Sequence, residues 1–328
     1  MASEEERKVE IAVDVFHKLK YQAMTVTRLA SSLAHYDLSH TSHMTRLIMN
    51  ELMPITYSEK YVLSSYLISA LGCFVGLIAS QRIITPQGKI SKTNAISAGV
   101  GLGGVGVWSM HFMGMLAVNF ELAKGYSLIE TLASLLVAIV VTTLCLVYAV
   151  THRKSFKKLL RAGLGLGLGI SVMHYLGMYG LRFRGYFQWD YVLVALSVVV
   201  AIVAATAALY LITRAKRDRQ RLGAALVMGA AICAMHYTGM FATSIICTTP
   251  SVGVPPQGFA VVSAAHLPLL LLLTTTGFLL VISADQLSQS FYKAQASSAK
   301  AQRSSKPRAQ PAADAHPAAS TEPSTSPR

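Results

Sequence analysis

Seven stretches of this chain are each long and apolar enough to cross a bilayer, and no other feature constrains its fold as tightly. About 30 Å of hydrocarbon takes roughly 20 helical residues. The runs are Tyr61–Ile84, Ala95–Val118, Leu128–Val150, Ala162–Leu181, Tyr191–Thr213, Leu222–Ile246 and Phe259–Ser283, and their middles carry no Asp, Glu, Lys or Arg. The chain is 53% hydrophobic and 13% charged, against about 25% charged in soluble domains. Lipid offers no hydrogen bonds, so each run has to satisfy its backbone internally, as a helix does. The expectation is an all-α integral membrane protein of seven transmembrane helices.

The formal charge of +14 does not point to nucleic acid, because of where the charge lies. Arg82, Lys89 and Lys92 share one loop; Arg153, Lys154, Lys157, Lys158 and Arg161 a second; Arg214, Lys216, Arg217, Arg219 and Arg221 a third. The alternate loops hold Lys124 in one, Arg182 and Arg184 in the next, and none over Cys247–Gly258. The positive-inside rule makes the rich loops cytoplasmic. That orientation puts the amino terminus outside and the carboxyl terminus inside a plasma (inner) membrane, with the lipid bilayer as the partner.

Three near-copies of one hexapeptide lie in the second, fourth and sixth runs: Met110-His111-Phe112-Met113-Gly114-Met115, Met173-His174-Tyr175-Leu176-Gly177-Met178 and Met235-His236-Tyr237-Thr238-Gly239-Met240. A fixed period of this kind marks a structural repeat. The three runs point the same way, so the repeats have parallel topology about an axis along the membrane normal. This predicts three parallel two-helix repeats in a pseudo-threefold bundle, with the seventh helix added. A glycine recurs seven residues before each histidine, Gly104, Gly167 and Gly229, two turns back on the same face. Small residues there let helices approach closely in a bilayer. The glycine run from Gly99 to Gly106 resembles a phosphate loop in letters only; inside a span it reads as helix packing.

The motif carries the chemistry. Residues four apart share a helix face, which aligns His111 with Met115, His174 with Met178 and His236 with Met240. Met110, Met173 and Met235 sit about 100° away around their helices. Imidazole suits copper, zinc, iron or nickel, and thioether narrows that list toward copper. The candidate metal ligands are therefore His111, His174, His236, Met110, Met115, Met173, Met178, Met235 and Met240. Cys233, three before His236, and His266, entering from the motif side, are further candidate donors with packing roles as the alternative. No constellation for catalysis is recognisable, so no enzyme is expected. A ring of histidines bonded to one another would use the same residues as structure alone.

Residues 1–53 read as an amino-terminal extension. It is either amphipathic over Val9–Leu29 or the product of a start placed upstream of Met49 or Met53. His17, His35, His40 and His43 in it lack the motif and are expected at a surface. The membrane domain is expected over 54–290. The stretch 291–328, rich in Ala, Ser, Pro and Lys, is expected to be disordered, leaving no room for an output domain.

At the motif residues the chain resembles the MHYT family of membrane sensor domains; Met235-His236-Tyr237-Thr238 spells the family's name. The likeness covers roughly residues 55–250. It implies copper near the outer membrane face and detection of oxygen, carbon monoxide or nitric oxide. Members are often fused to cyclase, phosphodiesterase or DNA-binding domains. Here signalling would pass to a separate partner. The readings from sequence are thus a copper-dependent sensor of a diatomic gas or of copper, a transporter or channel for copper or a small solute, and a copper redox enzyme. No polar file continues from the motifs toward the other side, which counts against transport.

Overall fold

A computed structural model describes residues 51, 52, 54–120, 122–215, 217–248 and 256–305. The Val9–Leu29 segment, His17, His35, His40, His43, Lys216 and residues 306–328 lie outside the described residues.

The seven helices are α1 (Glu59–Ser80), α2 (Lys92–Ala117), α3 (Leu128–Thr151), α4 (Phe156–Tyr179), α5 (Tyr191–Arg214), α6 (Asp218–Phe241) and α7 (Leu267–Ser305). All seven are long and apolar enough to span a membrane. The helices α1 to α6 pack in a closed ring in chain order, α6 returning to α1, and α7 packs outside the ring against α2. Of all the spans α2 is the most enclosed, with 83% of its apolar window buried against 22–50% elsewhere. Leucines and valines such as Leu67, Leu136, Leu144, Val199 and Val203 cover the outside of the ring, facing lipid.

Glycines set the helix contacts. A Cβ on Gly103 would run into the backbone of Ala138 on α3, one on Gly167 into Ile202 on α5, and one on Gly229 into Ala70 on α1. These three contacts are the same contact repeated around the axis. In α4 and α6 the glycine lies seven before the histidine, as expected, but in α2 it is Gly103, eight before His111. Gly104 meets Phe278 of α7 instead. The difference has a local cause: α2 is π-helical over Val100–Ser109. A π turn absorbs one extra residue, so the register of α2 slips by one.

Helix ends differ from the sequence reading most in α4, α6 and α7; α7 begins only at Leu267, and Val261–Ser263, expected as helix, is a strand. The α4 helix starts at Phe156, taking Lys157, Lys158 and Arg161 out of the loop. The α6 helix stops at Phe241, and Thr243–Cys247 is a strand, of which all but Cys247 was expected as helix; Thr243, Ile245 and Ile246 are β-branched. The α7 helix continues to Ser305, into the segment expected to be disordered; that stretch is rich in Ala, Gln and Lys, which favour helix.

Short strands cap the motif side. They are β1 (Glu51–Leu52), β2 (Thr56–Tyr57), β3 (Val118–Asn119), β4 (Gly125–Ser127), β5 (Leu181–Arg182), β6 (Gly185–Trp189), β7 (Thr243–Cys247) and β8 (Val261–Ser263). Their sheets run β1-β7-β6, β2-β3 and β5-β4-β8, all antiparallel. Strands β3, β5 and β7 each follow a motif helix, so the cap repeats with the bundle. Residues 51 and 52 pair with β7, which ties that part of the expected extension into the cap.

Candidate metal centre

The three motif histidines meet on the bundle axis. The Nδ1 atoms of His111 and His174 are 3.1 Å apart, those of His111 and His236 3.1 Å, and those of His174 and His236 3.2 Å. All three residues are fully buried. The rings stand edge to face with centroids 4.9–5.1 Å apart, a nearly equilateral arrangement. They form the group of His, Cys, Asp or Glu among the described residues that is placed to hold a metal ion.

The glycine of the motif makes this packing possible. A Cβ on Gly177 would collide with Nε2 of His111, one on Gly239 with Nε2 of His174, and one on Gly114 with Nε2 of His236. Each copy thus seats the imidazole of the preceding one, and the cycle closes. The residue after histidine fixes the helix sideways. The hydroxyl of Tyr175 pairs with Ser197 on α5 at 2.6 Å, and that of Tyr237 with Ser65 on α1 at 3.0 Å. Phe112 has no hydroxyl, and Trp108 stands in for it: its Nε1 donates to Ser134 Oγ on α3 at 3.0 Å and to Thr131 O at 3.1 Å. Ser65, Ser134, Ser197 and Trp108 escaped the sequence reading. The signal was present, since Ser134 and Ser197 are 63 residues apart, as are His111 and His174.

The three Nδ1 atoms are close enough to share one ion or to bond to one another. A neutral imidazole carries one N–H and one lone pair. Three N–H groups cannot all point into so small a triangle, so at least one Nδ1 presents its lone pair there, and a bound cation would require all three to do so. All three Nε2 atoms are buried with no hydrogen-bond partner. Leaving such a group unsatisfied costs about 1–3 kcal/mol each, which binding at the other nitrogen can offset. Three nitrogens about 2.0–2.1 Å from one ion stand roughly 3.3–3.6 Å apart at tetrahedral to trigonal angles. The observed 3.1–3.2 Å is slightly tighter, so the residues present fit one ion with little movement.

Met110, Met115, Met173, Met178, Met235 and Met240 are all buried in the same core. The other two candidates fall outside the histidine group. His266 is exposed in the turn Ala264–His266 before α7, and Cys233 is a half-buried free thiol.

One turn before each histidine lies an apolar side chain, Val107, Ile170 and Ile232, and below these Leu102, Leu166 and Met228. All of these but Met228 line an apolar cavity of about 20 Å³, with Ala201, Ala205 and Met235 also in its wall. At the opposite, basic end a separate polar cavity of about 500 Å³ opens among the last turns of α1, α3 and α5, lined by Ser80, Gln81, Thr151, Arg153 and Thr213.

The fold and site together define a multi-pass membrane protein with three equivalent helix pairs and one shared histidine cluster. Sequence comparison agrees. The MHYT family model, described as a bacterial signalling protein N terminal repeat, matches residues 104–162 and 167–225. The chain thus carries MHYT repeats. It is 34% identical over 192 residues to the bifunctional diguanylate cyclase/cyclic di-GMP phosphodiesterase MucR of Pseudomonas aeruginosa, covering 57% of this chain and 28% of that protein. It is 34% identical over 197 residues to the cyclic di-GMP phosphodiesterase NbdA of the same organism, 58% of this chain and 25% of that protein. With the signaling protein YkoW of Bacillus subtilis the identity is 29% over 197 residues, 58% and 24% of the two chains. The chain thus spans about a quarter of the length of these relatives. No solved structure matches it. The third copy, around His236, lies beyond the two matched repeats; its hexapeptide marks it, and His236 completes the histidine triangle.

Proposed function

We propose that this membrane domain is a sensor that holds copper through His111, His174 and His236 on the motif side of the bilayer, and that it responds to a diatomic gas or to copper itself. The observation that carries this is the convergence of three Nδ1 atoms within 3.1–3.2 Å of one another in a fully buried site. The six motif methionines add soft surroundings that favour copper over zinc. Copper held by these three histidines would supply a Lewis-acid, redox-active centre suited to a diatomic ligand.

The protein's own residues do the remainder. Gly114, Gly177 and Gly239 hold the rings in register, and Tyr175, Tyr237 and Trp108 brace the three helices against α5, α1 and α3. The apolar layers below the histidines exclude water from the axis. They also separate the site from the basic-side cavity, which supports sensing over transport. Signalling relatives support an output through a partner, and the Lys/Arg-rich loops favour a cytoplasmic side for it. Any such response needs a ligand that binds two packings of the bundle with different affinity.

A second reading rests on the same distances. Nδ1 atoms 3.1–3.2 Å apart are also at hydrogen-bond distance, and a shared proton would make the cluster a purely structural lock. Reconstituted protein exposed to carbon monoxide or nitric oxide distinguishes the two. A spectral change lost with His174→Ala supports the sensor, and a folded protein that shows no spectral change supports the lock. Copper flux into sealed vesicles that depends on the same residue overturns it in favour of transport.

A further inference from the structure

The helices between the motif helices, α1, α3 and α5, carry equivalent serines, Ser65, Ser134 and Ser197, that receive the braces. Further along they differ. On α1 the next axis-facing residues include Gly72 and Gly76, and the backbone of α2 closes onto them: a Cβ on Gly72 would strike Gly106, and one on Gly76 would strike Leu102. On α3 the equivalent stretch holds Val141 and Thr142, whose side chains fill the space. Val141 lies where a Cβ on Gly169 would fall, and Thr142 where one on Gly103 would. On α5 it holds Ala204, Ala205 and Ala208, with no glycine to admit a backbone and no larger side chain to fill the gap.

What remains there is the apolar cavity of about 20 Å³ beneath the histidines. Its wall includes Val107, Ile170 and Ile232, each four residues before a motif histidine, and Met235, the chain neighbour of His236. Every lining side chain is apolar. A water inside would lack the two to four polar partners it needs, and cavities of this kind stay dry. We propose that the cavity is a docking site for one uncharged apolar molecule of diatomic size, taken up from the bilayer.

The size and the setting select this guest. A space of about 20 Å³ takes one small molecule and no lipid chain. An empty space leaves the atoms of its wall without contacts on one side, and an apolar guest restores those contacts without leaving strong hydration behind. Among the lining residues Ala204 alone is partly exposed, which places the entry beside it on a membrane-spanning helix. Apolar gases favour hydrocarbon over water, and the other approach to the histidines, from the motif side, lies under the strand cap. The guest therefore reaches the layer next to the imidazoles from within the membrane. Docking does not depend on what the histidines hold; what the docked molecule does next rests on the sensor reading above.

Xenon is the probe, being apolar, uncharged, close to a diatomic in size and unable to coordinate copper. Isotope-labelled methionine methyl groups of the full chain are followed by NMR in detergent, under reducing conditions, as xenon pressure rises. The Met235 methyl is expected to shift along a saturating curve, several-fold further than that of Met113, which does not line the cavity. Ala205→Leu, which fills the space, should abolish the saturable shift. Ala207→Leu, on the exposed side of α5, should leave it. If Ala205→Leu does not fold, Ala204→Val narrows the entry and should weaken the shift several-fold. A Met235 response no larger than that of Met113, or a saturable shift that persists unchanged in the folded cavity variant, would overturn the proposal. The gas response of copper-loaded protein is a separate measurement: docking without that response sinks the sensor reading and leaves this site, and the response without docking does the reverse.

Discussion

Nε2 of His111 occupies the space that a Cβ on Gly177 would need. The relationship repeats from copy to copy and closes on itself through Gly239 and Gly114, so three residues that look like helix-packing glycines are the seats of the histidine cluster. Gly177→Ala should therefore destabilise the protein, by about 1–3 kcal/mol for overpacking a close-packed interior. Gly223→Ala, at a helical position on α6 with nothing within 4 Å, should be neutral or stabilising by up to about 1 kcal/mol. Thermal unfolding in detergent reads both; equal effects at the two positions would break the seat model.

The braces beside the histidines should be separable from them. Tyr175→Phe and Tyr237→Phe each remove one hydrogen bond to a buried serine, worth about 0.5–1.5 kcal/mol. Trp108→Phe should cost at least as much, because Ser134 and Thr131 O both lose a donor. Adding Phe112→Tyr to Trp108→Phe should recover part of that loss, since it restores the pairing found in the other two copies. A double-mutant cycle on unfolding free energy checks this; strict additivity would deny the equivalence of Trp108 with the tyrosine hydroxyls.

Tyr57, in the cap strand β2, has its hydroxyl pushed up to about 12, mainly by burial and then by Tyr237. Its folded-state value lies above the unfolded value of about 10, so the folded protein holds the proton longer. Stability from this group is complete below about pH 10 and falls as pH rises toward about 12. Tyr57→Phe should flatten that alkaline decline, as followed by unfolding midpoints across the window; an unchanged decline would place its cause elsewhere.

Orientation rests on Lys/Arg asymmetry and can be tested by itself. Impermeant labelling of single cysteines in intact cells should mark position 124, in the motif-side loop, and not position 157. Labelling of 157 alone would turn the histidine site toward the cytoplasm.

Much of this architecture is legible in the sequence because lipid leaves the backbone few options. The seven spans, the parallel repeat and the meeting of His111, His174 and His236 follow from apolar runs and one period. Other features depend on three-dimensional neighbours. The π segment in α2 is invisible in letters, so Gly104 was aligned where Gly103 belongs. Thr243 to Ile246 reads as the end of an apolar run, yet with Cys247 it pairs with β6 in the cap. The role of the motif glycine is a contact between copies, which a single helix face does not reveal. Trp108 was overlooked because it replaces a hydroxyl that another residue type supplies in the other repeats.

Copper content of the purified protein tests the central claim most directly. Wild-type protein prepared under reducing conditions should carry copper, with each of His111→Ala, His174→Ala and His236→Ala lowering it and the triple change abolishing it while the fold survives. Met115, Met178 and Met240 should matter less singly, as weaker and replaceable donors. A folded wild-type protein that takes up no copper, or one whose copper survives the triple change, would contradict the account.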